Sequence, residues 1–282
     1  MPDSPAGLVL VGCGRISASH LRAIAGLPED CRLIATVDPS LDRAETAAAP
    51  FGAKAFTDFD EALGLPGVSG VILCTPNAAH AVQAMACLKA GKHVLVEKPL
   101  AETGAEARAL ADEAARRGLV LAAGHTFRHC APVRYLRDHA AEFGRLRAVE
   151  VSACVFWDGP QAPWWADIPA EDGLIVSLFA PHSLDFIQLA MGGDAPLRVH
   201  AEGARHQSGW QGEDEAMITL AYPGRRMASL HLSYNQLPVH DRKVLFFAKG
   251  VMEIVHGETL IWNGEAKVVP PPGMVADPSR KG

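Results

Sequence analysis

From Gly7 to Gly124 short aliphatic runs alternate with alanine-rich amphipathic stretches, which is how a parallel sheet with crossover helices is written. The runs predict strands at Leu8–Val11, Leu33–Val37, Val71–Cys74, Val94–Val96 and Val120–Ala123. Between them, Asn77 is placed to cap a helix that Gly91 ends, and Thr103 with Glu106 forms a capping box before a helix ended by Gly118. After His125 the pattern changes. One helical stretch near Val133–Glu142 is followed by strand-like runs at Leu146–Phe156, Leu197–Glu202, Ala216–Tyr222, Met227–Ser233 and Val244–Ala248. Sequential strands with short links predict a mostly antiparallel sheet. Between the first two of these strands lies Trp157–Gly193, a loop rich in Trp, Pro and Asp that leads into an apolar segment; loops of this length usually serve a site.

The expected fold class is therefore α/β: an N-terminal doubly wound parallel sheet over residues 1–124 and a C-terminal α+β domain with a mostly antiparallel open sheet over residues 125–282. Length agrees, since 282 residues exceed what one core usually supports. No apolar run approaches the ~20 residues of a spanning helix, and the N-terminus carries Asp3 where a signal peptide needs bases, so a cytoplasmic protein without a membrane partner is expected. The net charge of −6 is spread among interspersed acids and bases, which argues against nucleic acid as a partner. Six cysteines lack any C-x-x-C pair and read as reduced, packed thiols. Twelve histidines include no H-x-x-x-H pair with an intervening acid, so no metal is expected. Pro270-Pro271-Pro272-Gly273 opens a polar tail expected to be mobile.

The candidate chemistry begins at Gly12-Cys13-Gly14-Arg15-Ile16-Ser17, directly after the first strand. Gly12 permits a tight turn, Gly14 lets backbone approach a pyrophosphate, and the following helix offers its free N–H groups to phosphate. Ser17 stands where the dinucleotide fingerprint has a third glycine; it is small enough for the close packing required there. Asp38 ends the second strand, 26 residues after Gly12, where an acid hydrogen-bonds ribose hydroxyls and repels a 2′-phosphate. NAD is the expected cofactor; Ser40 and Arg43 leave NADP open.

Two further segments, Thr75-Pro76-Asn77-Ala78-Ala79-His80 and Ala90-Gly91-Lys92-His93-Val94-Leu95-Val96-Glu97-Lys98-Pro99-Leu100, together with the glycine loop and His20, resemble the glucose-fructose oxidoreductase, inositol dehydrogenase and rhizopine catabolism (Gfo/Idh/MocA) family. The resemblance implies a Rossmann domain, a C-terminal domain whose open sheet forms a homodimer or homotetramer interface, and a substrate cleft between the domains. It implies cofactor contacts from Gly12, Gly14, Arg15, Ile16, Asp38, Thr75, Pro76, Asn77, His80, Glu97 and Lys98, and a catalytic Lys98 followed by Pro99, often through a cis peptide. A cation after the fifth strand would stabilise the alkoxide of a bound alcohol. Gly124-His125-Thr126-Phe127-Arg128 resembles the segment that leaves the Rossmann domain, with Arg128 either near the cleft and its substrate or in an interdomain salt bridge. His182-Ser183-Leu184-Asp185 resembles the family's H-x-x-D stretch, which makes His182 the substrate-side proton acceptor. Trp164 and Trp165 either stack on a sugar ring or lid the cleft, or else anchor the long loop by packing.

Leu178 departs from the family pattern, which places an aspartate four residues before that histidine; Asp185, Asp172 or Asp167 would have to take its role. Pro181 is expected to interrupt the helix there. The chain also closes earlier than the family's usual final helices: either the protein is shortened or the given sequence is, and a shortened protein is expected to cover one face of its second sheet with a partner chain, which favours oligomerisation. The expected function is hydride transfer between nicotinamide and a secondary alcohol of a sugar, polyol or related small molecule. The alternatives are a non-catalytic dinucleotide sensor or corepressor, and a lyase or glycosidase that uses bound NAD transiently.

Overall fold

A computed structural model describes residues 5–168, 174–267 and 269, and the chain divides into two compact units, Met1–Gly124 and His125–Gly282. In the first, strands β1 (Ala6–Val11), β2 (Cys31–Val37), β3 (Lys54–Phe56), β4 (Gly70–Leu73), β5 (His93–Val96) and β6 (Leu121–Ala123) form one sheet in the order β3-β2-β1-β4-β5-β6. Every pair is parallel. The predicted five strands are present; β3 adds a sixth, because three half-exposed residues leave no aliphatic run to read.

The connecting helices are α1 (Ser17–Ala25), α2 (Leu41–Ala48), α3 (Phe59–Leu63), α4 (Asn77–Lys89) and α5 (Gly104–Arg117). One core packs Val9, Val11, Val71, Leu73, Val94 and Val96 against Ala84, Cys87, Leu88, Leu110 and Ala114 of α4 and α5. Alternate residues Leu10, Leu33 and Ile72 pack with Ile24 of α1 in a second core, so the strands are buried on both faces. The Thr103–Glu106 capping box and the left-handed Gly118 end α5 as predicted. Asn77 does not cap α4. It is the first helical residue, and Pro76, extended at ψ 151°, stands at the cap position with no side-chain acceptor to offer the free N–H groups of the first turn.

In the second unit α6 (Ala131–Asp138) and α7 (Ala140–Phe143) lead into β7 (Leu146–Phe156), and α8 (Leu174–Ala190) precedes β8 (Arg198–Ala204), β9 (Glu215–Tyr222), β10 (Arg226–Ser233), β11 (Asn235–Phe247), β12 (Val251–Val255), β13 (Thr259–Trp262) and β14 (Glu265–Lys267). These strands form an eight-stranded sheet, β14-β13-β12-β11-β7-β10-β9-β8. It is mostly antiparallel, with one parallel pair, β7 with β10. The three closing strands escaped the sequence reading because runs of only five, four and three residues separated by turns carry little periodic signal.

The apolar end of the expected long loop is α8, and it runs through Pro181 without interruption. A proline inside a helix costs about 3 kcal/mol. Leu174, Ile175, Leu178, Phe186 and Ile187 are buried from that helix, at roughly 1.5–3 kcal/mol each, so packing outweighs the lost backbone bond. The same alternation that sends Leu230 and Leu232 into this core puts Met217, His231, Ser152 and Arg242 in one row on the opposite face. No described helix is long and apolar enough to cross a membrane.

Candidate functional site

In the first unit the sheet order reverses at β1, between β2 and β4, and Gly12, Asp38, Thr75-Pro76-Asn77 and Glu97-Lys98 follow the C-terminal ends of β1, β2, β4 and β5. The crevice beyond such a reversal is where open α/β sheets bind ligands. The backbone N–H of Gly12 donates to the Val37 carbonyl at 2.7 Å. Its φ of +88° is a left-handed conformation, and an added Cβ would lie 2.6 Å from the Cys74 carbonyl oxygen. Gly14 differs: a Cβ there would meet no atom within 4 Å. Gly14, Arg15 and Ile16 are exposed, and Ile16 stands at the N-cap of α1. Ser17 is buried, and its hydroxyl donates to the Gly14 carbonyl, so the residue in place of the third glycine closes the turn.

Asp38 is buried and holds this loop. One carboxylate oxygen accepts the Cys13 N–H at 2.9 Å and the other the Ser40 N–H at 2.9 Å. Each oxygen keeps a second lone pair for a hydroxyl. Burial, with Asp38 beside it, pushes the Cys13 thiol up to about 11, so it stays neutral under the loop. Thr75 donates its hydroxyl to Gln83 at 2.7 Å. His80 is buried and is placed as a staple: its ring nitrogens lie 2.6 Å from the Pro99 carbonyl and 2.8 Å from the Thr75 carbonyl, tying the ends of β4 and β5 together. Both of its ring nitrogens are thereby committed to those two loops.

Glu97 is buried against α1, where its carboxylate meets His20 Nε2 at 2.7 Å and accepts the Lys98 N–H at 3.2 Å. Burial pushes the Glu97 carboxyl up, but His20 and Lys98 together outweigh it and hold the group below the usual carboxylate range. The Lys98-Pro99 peptide is cis. Burial pushes the Lys98 ammonium down; Glu97 opposes this and Arg15 adds to it, with a net fall from the ordinary lysine value. An exposed glycine loop opening α1, a fixed acid after β2 and a half-desolvated lysine after β5 fit a dinucleotide.

The second unit gathers the remaining candidates. Arg128 lies in a 3-10 turn (Thr126–His129) and grips Asp185 of α8 through Nε and Nη2 at 2.6–3.0 Å. The Arg128 bridge thus lies within this unit rather than between units. His125 Nε2 is 3.8 Å from the same carboxylate. Asp185 is therefore committed to Arg128 and His125, and Leu178 is core. Asp172, and the side chain of Asp167, fall outside the described residues, as does the Pro270–Gly273 segment. His182 is half-buried, its ring nearly perpendicular to Phe127 at 5.3 Å and to His125 at 6.5 Å between centroids. Trp165 is a packing residue: it is buried, with Trp157, Trp164 and Trp210 at 5.6–6.2 Å, which leaves no open face for a sugar. The Phe127–His182 contact and the nearby Lys243 were not read from the sequence. Asp241, Lys243, Leu245 and Phe247 alternate in one phase, and that period of two was the available signal.

These features define an NAD-binding Rossmann unit joined to an open-sheet unit. Residues 7–125 match the model described as "Oxidoreductase family, NAD-binding Rossmann fold", and residues 136–253 match the "GFO/IDH/MocA C-terminal domain". The chain belongs to the Gfo/Idh/MocA oxidoreductase family. It is 38% identical over 132 residues to 4-carboxy-2-hydroxymuconate-6-semialdehyde dehydrogenase of Sphingobium sp., covering 46% of this chain and 42% of that protein. It is 30% identical over 203 residues to 1,5-anhydro-D-fructose reductase of Ensifer adhaerens, covering 71% and 61%. The chain thus spans about two fifths to three fifths of the length of these curated relatives. Among solved structures, GenD2 from gentamicin A biosynthesis, in complex with NAD, is 25% identical with a TM-score of 0.82, covering 89% of this chain and 72% of that one.

Proposed function

We propose that the protein is an NAD-dependent oxidoreductase acting on a secondary alcohol of a sugar, polyol or related small hydroxylated compound. The observation that carries this reading is Lys98, a desolvated cation that follows β5 on the crevice side of the sheet in a family of oxidoreductases. Asp38, Thr75, Pro76, Asn77 and the loop Gly12–Ile16 would hold the dinucleotide, which supplies a hydride acceptor when bound. Lys98 places a positive charge at the substrate oxygen and stabilises developing alkoxide charge. His182 takes the hydroxyl proton as general base. Arg128, locked to Asp185, fixes the turn that carries Phe127 against His182. The named relatives, a semialdehyde dehydrogenase and an anhydrofructose reductase, support hydride transfer to or from an oxygen-bearing carbon as the reaction class.

The test is nicotinamide absorbance during steady state across a panel of polyols, sugars and their oxidised forms. Net NADH appearance or consumption in proportion to substrate is expected; bound NADH that never changes would mark a sensor, and product formation without net NADH a lyase or glycosidase.

Cofactor choice is read at Asp38. Asp38→Asn keeps an acceptor for Cys13 and removes the charge that repels a 2′-phosphate, so the affinity ratio of NADPH to NADH should rise by about tenfold or more. An unchanged ratio in fluorescence titrations would remove Asp38 from that role. The protein is further proposed to work in the cytoplasm and to form a homodimer or homotetramer through the open face of its second sheet, where Met217 and Met227 are more than half exposed. Sedimentation equilibrium measures that directly; a monomer at all concentrations contradicts it.

A further inference from the structure

Lys243 carries a charge into the core of the second unit. It lies in β11, opposite Val151 of β7 and Ile254 of β12, and is 1% exposed. Taking an ammonium out of water costs several kcal/mol unless it is paired, so an aliphatic residue would be the ordinary occupant of this position. Asp241, two residues earlier on the same face of the strand, meets its Nζ at 2.5 Å. The same Nζ stands over the Phe127 ring at 4.3 Å from its centroid and within 5.8 Å of the Phe186 ring. A cation over an aromatic face at that distance is attracted to it, and more strongly when desolvated. Phe127 in turn packs nearly perpendicular to the His182 ring, 5.3 Å between centroids.

We infer that Lys243 is a positioning residue for His182: it pins Phe127 against the imidazole and supplies a buried positive charge that disfavours the imidazolium, keeping His182 neutral and able to accept a proton. The inference rests on the reading of His182 as proton acceptor. Among the described residues, the charged and titratable groups packed around this cluster include His125, Arg128 and Asp185 on the side of the 3-10 turn and α8, and Asp241, Cys130 and Glu258 on the side of β11. Arg128 and Asp185 neutralise each other through a two-point bridge. Asp241 offsets part of the Lys243 field, so its removal and the removal of Lys243 must act on His182 in opposite directions.

The test is a pH titration of the His182 imidazole by NMR in the full chain labelled at histidine nitrogen, with the signal assigned by its loss in His182→Asn. Lys243→Met should raise the His182 midpoint by roughly half a pH unit or more. Lys243→Gln, which keeps a donor for Asp241, should do the same and serves if the methionine variant does not fold. Asp241→Asn should lower the midpoint. A merely structural role predicts lower melting temperatures with the His182 midpoint unmoved, and that result in the folded variants overturns the inference. The readout needs no turnover. Full activity in His182→Asn would instead overturn the proton-acceptor reading and leave the measured coupling standing.

Discussion

Lys98→Ala is expected to lower kcat by about 10²–10⁴-fold while leaving the NADH dissociation constant within a few-fold of wild type. The residue follows β5 beside Glu97, which His20 ties back to α1, so backbone support for the loop does not depend on the lysine side chain. On the role proposed for it, what the alanine removes is positive charge where alkoxide charge develops, an interaction made in the transition state. The loss should therefore appear equally in kcat and in kcat/KM for the alcohol. Stability should move the other way. Burial lowers the Lys98 pKa, so its charged form is the one the fold penalises; the penalty is present at neutral pH and is relieved as pH rises through the folded value. Lys98→Met should thus melt no lower than wild type at pH 7. Full turnover in Lys98→Ala, or a collapse of NADH binding with it, contradicts the assigned role.

The second large effect separates two glycines that the sequence motif treats alike. Gly12→Ala would place a Cβ 2.6 Å from the Cys74 carbonyl oxygen and 3.0 Å from the Thr75 nitrogen, at a φ of +88°. The atoms in the way are backbone atoms at the end of β4, a strand paired on both sides, and cannot yield as a flexible side chain would. A stability loss of about 2–4 kcal/mol is expected, with NADH affinity reduced more than about 100-fold. Gly14→Ala meets nothing within 4 Å and should keep the wild-type melting temperature. With the pyrophosphate against this loop, as proposed, the added methyl group would occupy its space, so NADH affinity should still fall by about tenfold or more. Calorimetry and NADH fluorescence together read both variants. Equal effects on stability would contradict the division of labour between them.

The contrast marks how far the residue pattern reaches. Strand runs such as Leu8–Val11 and Val94–Val96 were legible because strands buried on both faces read as unbroken aliphatic runs, and the Thr103–Glu106 box because capping is local. Lys54–Phe56 was not, since its pairing with β2 comes from the sheet rather than from its own composition. Pro181 misled because a local rule met a helix whose apolar face is buried. At the candidate site, chain positions were legible and partners were not. His80 binds two carbonyls, Asp185 holds Arg128, and Trp165 sits among other tryptophans. Each of those partners is brought by tertiary structure from a distant segment or an unforeseen direction, and a motif names only the residue. Leu178 is the clearest case: its departure from the family's aspartate reads as a vacancy in the sequence, whereas the fold uses it as core.

The role of Lys98 stands or falls on where the nicotinamide lies relative to it, and a crystal structure of the protein with NADH measures that. The predicted result is a pyrophosphate against Gly14 and the first turn of α1, ribose hydroxyls on Asp38, and Lys98 Nζ within about 5 Å of the nicotinamide ring, close enough to reach an oxygen on the carbon that exchanges hydride. A dinucleotide bound away from the glycine loop, or a nicotinamide directed away from Lys98, would contradict it.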